Sequence, residues 1–135
     1  MDLSKNWVTI FFDAPVPHFF RPFMKKGFSH CIAVAPEENG WLYADIHLMG
    51  VHLDWYDDQT MKTMFEVFTK WDAVALQLRS IKERPPDRLA ISILTCSTFI
   101  AKLYGLHGGL VTPHRLYCTL KKRNASVFDL TQQFD

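Results

Sequence analysis

The sequence predicts an α+β fold in which an antiparallel sheet packs against helices. Two observations favour this class: short runs rich in β-branched and aromatic residues, and three segments that carry helix start signals and helical apolar spacing. The chain has 135 residues, the usual size of one domain. We therefore expect a single domain over 1–135, with a loosely packed tail over 124–135.

Five segments have the pattern of strands. An Asn39–Gly40 turn signal separates two of them and predicts a hairpin. Pro-containing stretches at 13–27 and 82–88 cannot continue either element and are expected to be connecting loops. The predicted strands are 7–12, 28–35, 41–47, 50–55 and 74–81.

Three helices are predicted, each from a capping residue followed by an apolar stripe. The first is capped by Asp57 or Asp58 and continues to about Trp71, with Met61, Met64, Phe65 and Phe68 on its apolar side. The second begins at Cys96 after Thr95 and stops near Gly105. The third opens at Thr112–Pro113, since proline suits a first helical position.

Composition excludes several classes of function. A formal net charge of +1 gives no electrostatic reason to expect nucleic acid as a partner. No run approaches the roughly 20 apolar residues of a membrane span, and the N-terminus lacks the pattern of a signal peptide. Three cysteines are a poor disulfide framework. We expect a protein made in the cytoplasm, without disulfides, cofactor or metal.

Cys96 is the candidate nucleophile. It lies at the predicted start of a helix, where free backbone N–H groups and the helix dipole favour a thiolate. Phe99 and Ile100, three and four residues later, place its sulfur on the inward stripe. The alternative interpretation is a small buried core residue, which is common for free cysteine.

His30 and Asp45 are the candidate base and its orienting residue. If 36–39 forms a four-residue loop, Ala35 pairs with Gly40 and His30 lies opposite Asp45 on one face of the hairpin. A buried carboxylate next to an imidazole would fix the orientation of the ring. A simple structural pair in the core is the alternative.

The remaining cysteines and histidines have other interpretations. Asp45, His47 and His52 could instead hold zinc, although no tight metal signature such as HExxH occurs. Cys31 and Cys118 are expected to fill the core. His114 is expected to face solvent.

Three segments, GFSHCIAVAPEENGWLYAD, LTCSTFIAKLYGL and TPHRLYCTL, resemble permuted papain-like hydrolases. These are relatives of the NlpC-type cell-wall endopeptidases, and the pattern is closest to small members encoded by bacteriophages and prophages. The resemblance covers about residues 27–121. It implies Cys96 as nucleophile, His30 as base and Asp45 as third residue. The family often has His, Asn or Gln at the third position, so Asp45 departs from the pattern and His47 is a substitute.

The resemblance implies a cysteine hydrolase that acts by acyl transfer on amide bonds, with peptidoglycan peptides as the leading substrate. A second hypothesis is a non-catalytic structural or assembly component of a phage virion or tail, in contact with other tail proteins. A third is acyl transfer from lipid esters. A virion-associated location follows from the first two.

Overall fold

The computed structural model describes residues 6–14, 25–47, 50–79, 96–104, 106 and 112–134. Within them the chain forms six strands and three helices, an α+β architecture. In chain order they are β1 (Asn6–Phe12), β2 (His30–Glu37), β3 (Gly40–His47), β4 (Gly50–Tyr56), α1 (Asp58–Lys70), β5 (Val74–Arg79), α2 (Cys96–Leu103), α3 (Pro113–Lys122) and β6 (Ser126–Val127).

All six strands belong to one antiparallel sheet with the order β4-β3-β2-β1-β5-β6. The predicted strands and helices are all present, with bounds that differ by a few residues. β2 begins at His30 rather than Phe28, and α1 is capped by Asp57, whose carboxylate accepts from the Thr60 N–H at 2.8 Å. The predicted loop at 82–88 and the cap at Thr95 lie outside the described residues.

Helices cover both faces of the sheet. The α2 and α3 side contains a cluster in which Trp7, Phe11 and Leu76 of the strands meet Ile100 and Leu116 of the helices. The α1 side contains the opposite cluster, because alternate residues of a strand point to opposite faces. Its buried members are Val8, Ile10, Phe12, Ile32, Val34, Trp41, Met61, Phe65, Phe68, Ala75 and Leu130.

The last residues are packed, so the prediction of a loose tail is wrong over 124–134. β6 pairs with β5 through Val127 and Leu76, and Leu130 is buried. Phe128 and Phe134 pack against Phe65 of α1, with ring centroids 6.0 and 5.6 Å apart. This segment completes the apolar cover on the α1 side.

Candidate active site

Cys96 is the first described residue of α2, and it is partly buried. The helix is fixed to the sheet by Tyr104, one residue beyond its end. The Tyr104 hydroxyl donates to the Trp7 carbonyl at 2.9 Å and lies 2.7 Å from Thr9 Oγ1, and all three residues are buried. These contacts with β1 define the position of α2 above the sheet.

His30 is held at the start of β2 by contacts with β1. Immediately before it, Ser29 Oγ accepts from the Ala14 N–H at 2.7 Å and donates to the Ala14 carbonyl at 3.2 Å. The His30 ring packs edge-on against Phe12, with centroids 5.4 Å apart, and Phe12 in turn packs against Phe68 of α1. The imidazole therefore lies on the α1 side of the sheet.

Asp45 contacts His30, although the predicted register was wrong. Glu37 rather than Ala35 pairs with Gly40, so the loop has two residues and the register is displaced by two. A displacement of two preserves the face, and Asp45 becomes a diagonal neighbour of His30. His30 Nε2 donates to Asp45 Oδ1 at 2.8 Å, with 19% and 18% of the two side chains exposed.

Tyr43 completes the environment of the Asp45 carboxylate. It lies two residues earlier on the same face of β3, and its hydroxyl donates to Asp45 Oδ2 at 3.2 Å. Burial and the Asp45 charge raise the pKa of Tyr43, which keeps its hydroxyl protonated. Both carboxylate oxygens therefore accept a hydrogen bond, and the sequence analysis did not identify Tyr43.

Cys96 lies close to His30 at the start of β2, where β2 is not paired with β3. Pairing of β2 with β3 extends only from Glu37 to Ala33, whereas pairing with β1 continues to His30. The pKa of Cys96 is lowered by hydrogen bonding from the His30 ring and from the thiol and backbone N–H of Cys31, which puts the sulfur next to both residues. Since His30 and Cys31 point to opposite faces, a sulfur that reaches both lies alongside the strand, where β3 has separated from β2.

These contacts shift two pKa values toward an ion pair. Hydrogen bonds from the Cys31 thiol, and then from the charged His30 ring, outweigh burial and lower the pKa of Cys96 to about 5. Burial alone would lower the pKa of His30, but hydrogen bonds and charges from Asp45 and Cys96 raise it to about 9. Because Nε2 is bonded to Asp45, Nδ1 is the nitrogen left to face the sulfur. Between these values the pair is a thiolate and an imidazolium.

Cys31 is a core residue, as predicted, and also a neighbour of the candidate nucleophile. It is fully buried, and its pKa is raised by burial and by the hydrogen bond and charge of Cys96. Its thiol therefore stays protonated and can act as a hydrogen-bond donor. The sequence analysis missed this second contact.

A second cysteine–histidine pair lies on α3 and differs in its surroundings. Cys118 Sγ is 3.6 Å from His114 Nε2, and Lys25 Nζ is 3.3 Å from the same nitrogen. Burial and the Lys25 charge lower the pKa of His114, which favours a neutral ring. His114 packs edge-on against Phe28, with ring centroids 5.1 Å apart, and stays partly exposed to solvent. The Cys118–His114 pair therefore serves as a control for the Cys96–His30 pair in the same protein.

Asp45, His47 and His52 were the alternative set of zinc ligands predicted from the sequence. His52 pairs with Asp54 at 3.4 Å rather than with Asp45, and the His47 side chain lies outside the described part. Among the described residues, no group of three or more His, Cys, Asp or Glu side chains could hold a metal ion. In the same parts of the chain, no helix is both long enough and apolar enough to cross a membrane.

Comparison of the chain with protein-family models, with curated proteins and with solved structures finds no match. The candidate site is therefore defined by the geometry around Cys96 alone.

Proposed function

We propose that this chain is a thiol hydrolase of the permuted papain-like type, which cleaves amide bonds through a thioester on Cys96. The observation that carries the proposal is the continuous set of contacts from the Cys96 sulfur to the His30 ring and on to Asp45. A nucleophile, a base and an orienting carboxylate in this order are the minimum machinery of acyl transfer.

The mechanism begins from the ion pair. The Cys96 thiolate attacks the substrate carbonyl, and backbone N–H groups in the first turn of α2 are suited to hold the oxyanion. The His30 imidazolium gives its proton to the departing amine. The neutral ring then takes a proton from water, which hydrolyses the thioester. Asp45 keeps Nε2 bonded throughout, so that Nδ1 faces the reacting atoms.

The substrate class is proposed from the resemblance to NlpC-type enzymes and their phage-encoded relatives. Peptide bonds of peptidoglycan are the leading candidates, and a phage-encoded, virion-associated hydrolase is the biological setting that this resemblance favours. If Cys96 does not react with substrates, the remaining hypothesis is a non-catalytic phage tail component with the same fold.

The chemistry and the substrate can be tested separately. An activated ester such as p-nitrophenyl acetate should give an acetyl adduct on Cys96, located by mass spectrometry, faster than on Cys118. The Cys96→Ala variant should lose this reaction, whereas Cys118→Ala should retain it. Equal acetylation of Cys96 and Cys118 would refute the hydrolase proposal.

Purified peptidoglycan tests the substrate, with released peptides detected by mass spectrometry. We expect release by the wild-type protein and by Cys118→Ala, but not by Cys96→Ala. Release that survives Cys96→Ala would contradict the assignment of the nucleophile. Acetylation of Cys96 without release would exclude the peptidoglycan sources tested while leaving the chemistry in place.

A further inference from the structure

β4 lies at one edge of the sheet formed by the described strands, and its outer backbone groups face away from β3. All seven of its residues pair with β3 on the inner side. The Trp55 N–H donates to Asp54 Oδ1 at 2.8 Å instead of to β3, so it points outward. Because alternate residues of an antiparallel strand direct their N–H and C=O groups to the same side, those of Val51 and Leu53 point outward too.

The side chains of β4 divide into an apolar and an ionisable set. Val51, Leu53 and Trp55 share one face and are 48%, 53% and 50% exposed. His52 and Asp54 share the other face, with Nε2 and Oδ2 3.4 Å apart. Long apolar edge strands are usually shielded because they offer a template for pairing with another chain.

We propose that β4 pairs with β4 of a second copy of this chain, antiparallel and centred on Leu53. In this register Leu53 lies opposite its own counterpart, and Val51 lies opposite Trp55 of the second copy. His52 then lies opposite Asp54 of the second copy, twice, by symmetry. Val51, Leu53 and Trp55, whose N–H and C=O groups point outward, come into hydrogen-bonded positions, where the Trp55 N–H exchanges Asp54 Oδ1 for a carbonyl of the second copy.

Complementarity between the His52 imidazole and the Asp54 carboxylate selects this register and favours a second copy as the occupant. Centring the pairing on His52 or on Asp54 would place two imidazoles or two carboxylates opposite each other, and like charges directly opposite are unfavourable. Centring it on Val51 or Trp55 would leave much of the strand unpaired. The strand is therefore complementary to itself, which is the requirement of a two-fold interface.

The interface would lie one strand away from the candidate active site. β3, which carries Asp45 and Tyr43, is the inner neighbour of β4. In the backbone ladder Asp45 lies opposite His52, and Tyr43 lies opposite Asp54. The two sheets would become continuous across the dimer. Pairing of β4 with a second copy does not require catalysis by Cys96.

A charge-reversal series tests the register, with dissociation constants from sedimentation equilibrium. We expect concentration-dependent dimers of the wild-type protein. His52→Asp should weaken the dimer at least about fivefold, because two facing pairs become repulsive. The double variant His52→Asp with Asp54→Lys should recover most of the affinity, since opposite charges face each other again.

Val67→Lys on α1 is the control, because Val67 is also an exposed apolar residue and lies off the edge. It should leave dimerisation unchanged, and circular dichroism should show that every variant is folded. A wild-type protein that stays monomeric up to about millimolar concentration would overturn the proposal. So would dimers that are insensitive to His52→Asp, or a double variant as weak as the single one.

Discussion

Alkylation of Cys96 by iodoacetamide should be almost independent of pH between about pH 6 and pH 8. With a pKa of about 5, its thiolate fraction changes only about 1.1-fold over this interval. A free thiol with a pKa of about 8.5 rises from about 0.3% to about 24% thiolate, roughly 75-fold. The slope of the rate with pH therefore distinguishes the paired thiolate from an ordinary thiol.

The absolute rate is informative only on the acidic side. At about pH 6, Cys96 carries about 300 times more thiolate than the free thiol. A thiolate of lower pKa is a weaker nucleophile, by about 0.4–0.5 log units per pKa unit, which removes about 40-fold. The expected net advantage is roughly eightfold at pH 6, and it disappears near pH 7.

The assay is quenched alkylation followed by peptide mapping, so that Cys96 and Cys118 are measured separately in the same sample. His30→Ala removes the imidazolium and should raise the pKa of Cys96, so that its rate rises more steeply with pH than in the wild-type protein, while the hydrogen bonds from Cys31 keep it below that of a free thiol. A wild-type rate at Cys96 that climbs tens of times between about pH 6 and pH 8 would refute the ion pair.

The remaining predictions concern the pH profile of hydrolysis, Asp45 and Tyr104. Hydrolytic kcat/KM should rise as pH passes the Cys96 pKa of about 5 and fall as His30 loses its proton near 9, giving a plateau between them; activity that peaks above this range would contradict the assignments. Asp45→Asn removes the negative charge next to the His30 ring and so lowers the pKa of that ring, which should move the alkaline limb of the profile to lower pH. An unmoved limb would exclude Asp45 as the orienting group. Tyr104→Phe removes the hydroxyl that contacts Trp7 and Thr9 and should lower the free energy of unfolding in urea by about 1–3 kcal/mol, whereas Tyr56→Phe, at a partly exposed site, should have little effect.

Most elements of the fold could be predicted because their signals are local. The apolar stripe and Asp57 cap of α1, and the Thr112–Pro113 start of α3, are properties of neighbouring residues. The packed C-terminal segment was missed because β6 has only two residues and is defined by its pairing with β5. Its buried side chains have no regular period that sequence alone could reveal.

The hairpin shows which part of the site a pattern can predict. Period-two alternation assigned His30 and Asp45 to one face, and their contact is present. The register was wrong because Pro36 was placed in the loop, whereas it pairs with Trp41. β1 pairs with β2 only as far as Val34, so the missing N–H of Pro36 leaves no bond to β1 unmade.

The contact between Cys31 and Cys96 could not be predicted from the assignment of strand residues to the two faces of the sheet. It depends on where the β2–β3 ladder ends, and that is a tertiary property of the sheet. Tyr43 was within reach of sequence reasoning, because a residue two positions from Asp45 on a strand shares its face.

The most direct test of the ion pair is the protonation of the His30 ring, followed by nuclear magnetic resonance in the wild-type protein and in Cys96→Ser. We predict that the wild-type ring keeps its proton to about pH 8 and titrates near 9, and that loss of the Cys96 charge moves its midpoint to lower pH. A midpoint near 6.5 in both proteins would show that the sulfur and the imidazole are not coupled, and the hydrolase account would fail.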